Sequence, residues 1–93
     1  MRPIRWTETA VRDLTRVCDY IEQRYGSAHA RSVALKIYEA TEALGQFPYR
    51  GRAGRKSGTR ELVTTDLPYL IVYRVREEII EITRILHGAQ KWP

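Results

Sequence analysis

With 93 residues, 43% of them hydrophobic and 29% charged, the chain suffices for one domain with one core and is too apolar for disorder. Its one cysteine excludes an internal disulfide framework, no Cys/His cluster has zinc-ligand spacing, and no apolar run forms a signal core or reaches membrane-spanning length, so a soluble cytoplasmic domain without metal, cofactor or membrane partner is expected. The net charge of +5 is localised: residues 1–49 carry seven Lys/Arg against six Asp/Glu, residues 61–93 four against five, and the excess lies in Arg50, Arg52, Arg55, Lys56 and Arg60. Such a run is either a solvated loop that keeps the protein soluble or a patch that steers a polyanion or an acidic protein to one side of the fold. A domain this short buries only about two-thirds of its unfolded surface, so its stability is modest and a partner can raise it.

In chain order, Ile4 and Trp6 alternate with Arg5 and predict a short first strand, and Thr7 followed by Glu8 predicts a helix N-cap. From Glu8 to Tyr25 the apolar positions Val11, Leu14, Cys18, Ile21 and Tyr25, with Ala10 and Val17 beside them, predict one buried stripe, and Arg12, Asp13, Arg16, Asp19, Glu22 and Arg24 fill the opposite face. Cys18 therefore reads as packing. Gly26 stops this helix and Ser27 is expected to cap the next, whose stripe runs Ala30, Val33, Ala34, Ile37, Tyr38, Thr41 and Leu44 until Pro48. So short a connection folds the two helices into an antiparallel hairpin that needs a sheet to lie on. His29, in the first turn, has no evident chemical company. Residues 48–58, with three glycines and no periodicity, read as an exposed, mobile loop.

Three β-branched and aromatic runs follow, near 60–65, 69–76 and 79–86, as expected of an antiparallel meander. In the second, Tyr69, Ile71, Tyr73 and Val75 face the core, so both tyrosines read as core aromatics. In the third, Ile80, Ile82, Arg84 and Leu86 share a side opposite Ile79, Glu81, Thr83 and Ile85. An arginine ending an apolar row either meets a carboxylate or is turned outward by a bulge. Arg84 and His87 are expected together at the rim of the sheet, His87 either exchanging protons or simply bonding a backbone carbonyl. The chain thus reads as one α+β domain over 1–93: a short strand, a helical hairpin and a small, mainly antiparallel sheet, β-α-α-β-β-β.

The pieces I-R-W-T-E-T-A near the start, F-P-Y-R-G-R at 47–52, T-R-E-L at 59–62, Y-L-I-V-Y-R-V at 69–75 and I-T-R-I-L-H-G-A-Q at 82–90 occur together in this order, and the chain resembles the RelE/ParE superfamily of toxins from bacterial type II toxin-antitoxin modules. The resemblance implies a toxin that arrests growth when free and is silenced by a cognate antitoxin. That antitoxin would wrap the hairpin and sheet edge, with Leu14, Ile21, Val33 and Ile37 as contacts, and carry the complex to operator DNA. One branch of the superfamily cleaves mRNA on the ribosome without a metal. On that reading Arg60, Arg84 and His87 would be catalytic, with Arg74 as a further phosphate clamp, although the chain has no Tyr after the last strand. The other branch, which the R-I-L-H-G ending resembles more, poisons DNA gyrase by binding it. On that reading Arg50, Arg52, Arg55, Lys56, Arg74, Gln90, Lys91 and Trp92 would meet the target. A basic nucleic-acid-binding module is the remaining alternative, without a helix-turn-helix, RNA-binding aromatic pair or zinc motif to support it.

Overall fold

Seven elements form in the computed structural model, which describes residues 1–88. They are β1 (Ile4–Trp6), α1 (Glu8–Tyr25), α2 (Ser27–Ala43), β2 (Arg52–Ala53), β3 (Arg60–Val63), β4 (Tyr69–Arg76) and β5 (Ile79–His87). The five strands make one mixed sheet in the order β1-β5-β4-β3-β2, and the helical hairpin lies on it, giving an α+β fold. β1 pairs parallel with β5, Ile4 opposite Ile80 and Trp6 opposite Ile82, while β2 to β5 pair antiparallel. Gln90, Lys91 and Trp92 lie outside the described residues.

Thr7 caps α1 as its sequence predicts: its hydroxyl accepts from the Ala10 N–H at 3.1 Å. The buried stripe, however, is rotated from the expected one. Ala10, Asp13, Leu14, Val17 and Ile21 face the sheet, while Val11 (49% exposed) and Tyr25 (66%) face out. Asp13, assigned by pattern to the polar face, is buried, and its partners on β5 account for the rotation. Gly26 links the helices without a loop because its φ of +93° is accessible to glycine; its N–H donates to the Glu22 carbonyl and its carbonyl accepts from Ala30. Ser27 does not cap α2, since it is already the first helical residue and no side-chain cap bond forms. The α2 stripe holds at Ala30, Val33, Ile37, Thr41 and Leu44, but Tyr38 turns outward. Ile37 and Leu44 are fully buried, each stabilising the fold by about 2–3 kcal/mol.

On β4, Tyr69, Ile71 and Tyr73 are buried against the helices, as the alternation predicts. On β5 the alternation breaks. Val72 pairs with Arg84 and Tyr73 with Ile82, so Thr83 is an extra residue without an opposite number. A bulge of one residue inverts every later side chain. Ile80, Ile82 and Ile85 therefore join the core cluster, while Leu86 moves to the opposite face, across from Leu70, and does not share a side with Ile80.

The glycine-rich loop also departs from expectation. β2 pairs with β3, and Glu61, buried under it, accepts from Arg52 Nη2 at 3.3 Å and from the Arg55 N–H at 3.1 Å. Gly54 N–H donates to the Thr59 carbonyl, and the Thr59 hydroxyl to the Lys56 carbonyl at 2.6 Å. One buried carboxylate gathers what composition alone reads as a mobile segment.

Candidate functional site

Where β1 ends at Trp6, the edge of β5 is left without a strand beside it. α1 fills the gap. Thr7 N–H donates to the Ile82 carbonyl and its hydroxyl to the Thr83 carbonyl, and Asp13 Oδ2 accepts the Ile85 N–H at 2.9 Å. The same carboxylate receives Arg84 Nε at 2.7 Å and Nη2 at 3.3 Å, a bidentate clamp that holds the guanidinium in place. Its hydrogen bond to the Asp13 carboxylate raises the Arg84 pKa above its ordinary value, so Arg84 is a fixed cation at any physiological pH. Both alternatives for this arginine, a carboxylate and a bulge, thus occur at once.

Clamped there, Arg84 lines a pocket of about 270 Å³ with Lys56, Arg74, Val72 and the threonines Thr7, Thr9, Thr59 and Thr83. Arg74 Nε is buried with no hydrogen-bond partner among the described residues. Three cations around a small cavity with no carboxylate in its described lining suit an anionic group such as a phosphate oxygen cluster, while the hydroxyls of Thr7, Thr59 and Thr83 already donate to backbone carbonyls. The threonines are the part that sequence reading misses, whereas Lys56 and Arg74 are both expected from sequence to meet the target. The signal of the threonines is weak, because they come from three separate segments.

The structure does not bring the expected catalytic residues together. Arg60 pairs with Tyr73 across the strands, donates Nη1 to the Gly51 carbonyl at 2.7 Å and places its guanidinium 4.9 Å from the Tyr49 ring centroid. His87 pairs with Tyr69, edge to face at 5.7 Å between centroids. It opens into a groove between hairpin and sheet with Val17, Tyr20, Ile21, Tyr25, His29, Val33 and Tyr69. Three residues apart on one strand and both beyond the bulge, Arg84 and His87 face opposite sides of the sheet, line different cavities and share no rim. His29 does have company: its ring lies 5.4 Å from that of Tyr25. Among the described residues, no group of three or more His, Cys, Asp or Glu could hold a metal ion.

Arg50 lines a surface concavity with Phe47 and Tyr49; the Arg52 side chain and the Arg55 N–H bond Glu61, and neither arginine lines the cationic pocket. Of the residues expected to meet an antitoxin, Ile37 is sealed in the core, Ile21 and Val33 are each 5% exposed, and Leu14 packs against the same cluster. These side chains hold hairpin to sheet, and only Ile21 and Val33 reach a groove wall. The apolar surface that the hairpin does present comes from Val11, Tyr20, Tyr25, Leu35 and Tyr38.

Residues 4–92 match the family described as the ParE toxin of the type II toxin-antitoxin system, parDE. The chain belongs to the ParE toxin family. It is 46% identical over 90 residues to Y4kP of Sinorhizobium fredii, which carries a provisional toxin name, covering 97% of this chain and 92% of that one. It is 38% identical over 90 residues to Toxin RelE2 of Caulobacter vibrioides, covering 97% and 99%. Among solved structures it matches one described as the chromosomal ParDE TA system from P. aeruginosa, with a TM-score of 0.87, 28% identity and coverage of 94% and 96%. This ParE-family protein is therefore the toxin of a type II toxin-antitoxin system, and the family implies a cognate antitoxin as its partner. Among the described residues, no helix is long and apolar enough to cross a membrane.

Proposed function

We propose that this toxin arrests growth by binding DNA gyrase in the cytoplasm and stalling it, without cutting nucleic acid itself. One observation carries the reading: the cationic pocket and the histidine of β5 belong to different cavities. Cleavage of RNA at a 2′-hydroxyl needs a group to take a proton, cations for the phosphate and an acid for the leaving oxygen. The pocket around Arg84 supplies cations and hydroxyls, but its described lining holds no group that exchanges protons near neutral pH. A binding poison needs no such group. The likeness to the ParDE structure supports the same reading.

The antitoxin has a natural place in the groove between hairpin and sheet, whose floor includes Val17, Ile21, Val33 and Tyr69. An amphipathic helix lying there would bury apolar surface that the free toxin exposes.

A second reading, cleavage of mRNA on the ribosome, is favoured by the cationic pocket itself and by the identity to Toxin RelE2. The two separate in parallel assays with purified toxin, gyrase supercoiling in one and message integrity on translating ribosomes in the other. Loss of supercoiling with intact message supports gyrase; cleaved message with normal supercoiling defeats it. In the latter event Arg84→Ala should cost most of the cleavage rate.

A further inference from the structure

The chain has one phenylalanine, and the fold does not bury it. Phe47 is 56% exposed and Tyr49, two residues on, is 59% exposed, while the core is filled by aliphatic side chains and two tyrosines of β4. Exposed aromatics on a loose loop mean little. Here the segment is fixed from below. Tyr73, fully buried, donates its hydroxyl to the Pro48 carbonyl at 2.9 Å and accepts the Gly51 N–H at 2.9 Å. Arg60 donates to the Gly51 carbonyl, and the Arg50 N–H closes a turn onto the Phe47 carbonyl at 3.2 Å. A Cβ at Gly51 would lie 2.7 Å from the Tyr73 hydroxyl and 2.8 Å from the Glu61 carbonyl, so the backbone is seated as closely as glycine allows. The Tyr49 ring has the guanidinium of Arg60 at 4.9 Å and that of Arg2 at 5.8 Å from its centroid.

Charge completes the picture. From Phe47 to Arg60 there is no Asp or Glu, and the nearest carboxylate in sequence, Glu61, is buried and engaged by Arg52 and the Arg55 N–H. Rigid aromatics with arginine at the rim are what binding hot spots are made of, because little conformational entropy remains to be lost on association. None of these residues is needed for the core, and the cationic pocket does not include them.

We propose that residues 47–52 form a preorganised docking knuckle, anchored by Phe47 with Arg50 at its rim, for an acidic surface with an apolar dimple on the toxin's protein target. The nature of the partner rests on the gyrase reading above. Apolar contact by Phe47 supplies affinity, and Arg50, which forms no ion pair among the described residues, selects an acidic surround. A nucleic acid is the less favoured occupant, since the Tyr49 ring already has two guanidinium groups against it.

The test uses Phe47→Ala and Arg50→Glu in the full-length toxin, with an unchanged unfolding midpoint and unchanged antitoxin binding as controls for folding. Binding to purified gyrase subunits should weaken about thirtyfold for Phe47→Ala and more than tenfold for Arg50→Glu. Induction of each variant in cells then reads growth arrest whatever the target is. Should wild-type toxin fail to bind gyrase, the target reading falls while the knuckle is still judged: variants needing about ten times more toxin to arrest growth support it. Variants as potent as wild type overturn it. Binding of wild-type toxin to a mixed-sequence oligonucleotide, steeply salt-dependent and lost in Phe47→Ala, overturns the assignment to a protein surface.

Discussion

Removing the carboxylate of Asp13 should unfold this toxin more effectively than any change on its surface. The side chain is 7% exposed and accepts three hydrogen bonds, two from Arg84 and one from the Ile85 N–H. In Asp13→Ala the Ile85 N–H loses its acceptor on an edge covered by α1, which costs about 1–3 kcal/mol. The Arg84 guanidinium loses its counter-ion. Breaking a buried pair costs about 3–5 kcal/mol, but the Arg84 side chain is 25% exposed and water can reach it, so the low end applies. Because the two losses overlap at one carboxylate, the sum is about 4 kcal/mol out of the roughly 5–14 kcal/mol that a domain of this length possesses. With a urea m value of about 2 kcal/mol/M, the midpoint should fall by about 2 M at unchanged m. Asp13→Asn keeps an acceptor for Ile85 and should lose about half as much. Pairing Asp13→Ala with Arg84→Met removes both charges and should recover part of the loss. A midpoint for Asp13→Ala within about 0.5 M of wild type would show that the clamp is incidental and that another contact sets the rotation of α1.

Tyr73→Phe leaves the Gly51 N–H without its partner and should cost about 2 kcal/mol by urea unfolding, with earlier amide exchange at residues 48–53. Burial raises the Tyr73 pKa above 10.0, against the lowering effects of the Gly51 N–H and Arg60, so the folded state keeps a proton that the unfolded chain gives up. The contribution is fully present below pH 10 and is lost as pH rises through the folded value; Tyr73→Phe should therefore flatten the alkaline limb of a stability-versus-pH curve, leaving the share of Tyr69 and Cys18, both also raised chiefly by burial. Gly51→Ala drives a methyl against the Tyr73 hydroxyl and the Glu61 carbonyl and should cost about 2–3 kcal/mol in thermal or urea unfolding. His87→Ala, on the gyrase reading, should leave growth arrest within about twofold of wild type in an induction titration; a hundredfold loss would restore the histidine to a catalytic role.

The architecture was legible where local chemistry acts alone. Thr7 before Glu8 marks a helix start because its hydroxyl can satisfy an amide three residues on, and Gly26 marks a reversal because few other residues adopt its φ. Errors arose where a distant partner overrides the pattern. Asp13 looks like surface on a helical projection, since nothing near it in sequence announces an arginine 71 residues away. Arg84 in an apolar row did announce a conflict, and the sequence could pose the choice between carboxylate and bulge without foreseeing that it takes both. β2 was illegible because two exposed residues in a glycine-rich run carry no alternation; what holds them is Glu61, whose burial depends on the completed sheet. The same limit applies to the site. Lys56, Arg74 and Arg84 were named from sequence, but the four threonines that line the pocket with them assemble only in three dimensions.

The bulge at Thr83 offers the sharpest check on this account of β5. If Thr83 is the surplus residue, deleting it restores regular pairing without changing which way any other side chain faces: Ile82 inward, Arg84 toward Val72, Ile85 inward, Leu86 toward Leu70. The cost is then confined to the two hydrogen bonds that Thr83 makes, its carbonyl with the Thr7 hydroxyl at 3.3 Å and its own hydroxyl with the Val72 carbonyl at 3.1 Å, about 1 kcal/mol each. A strand with unbroken alternation predicts the opposite. There Arg84 and Leu86 share the side of Ile80 and Ile82, and losing one residue reverses everything after it, taking Leu86 out of the core and exchanging it for Ile85. The deletion variant should therefore fold, with a urea midpoint about 1 M below wild type and near-wild-type circular dichroism. Failure to fold would mean that the extra residue sets the twist bringing Asp13 to Arg84, and that the clamp depends on the bulge and not only on the facing of the strand.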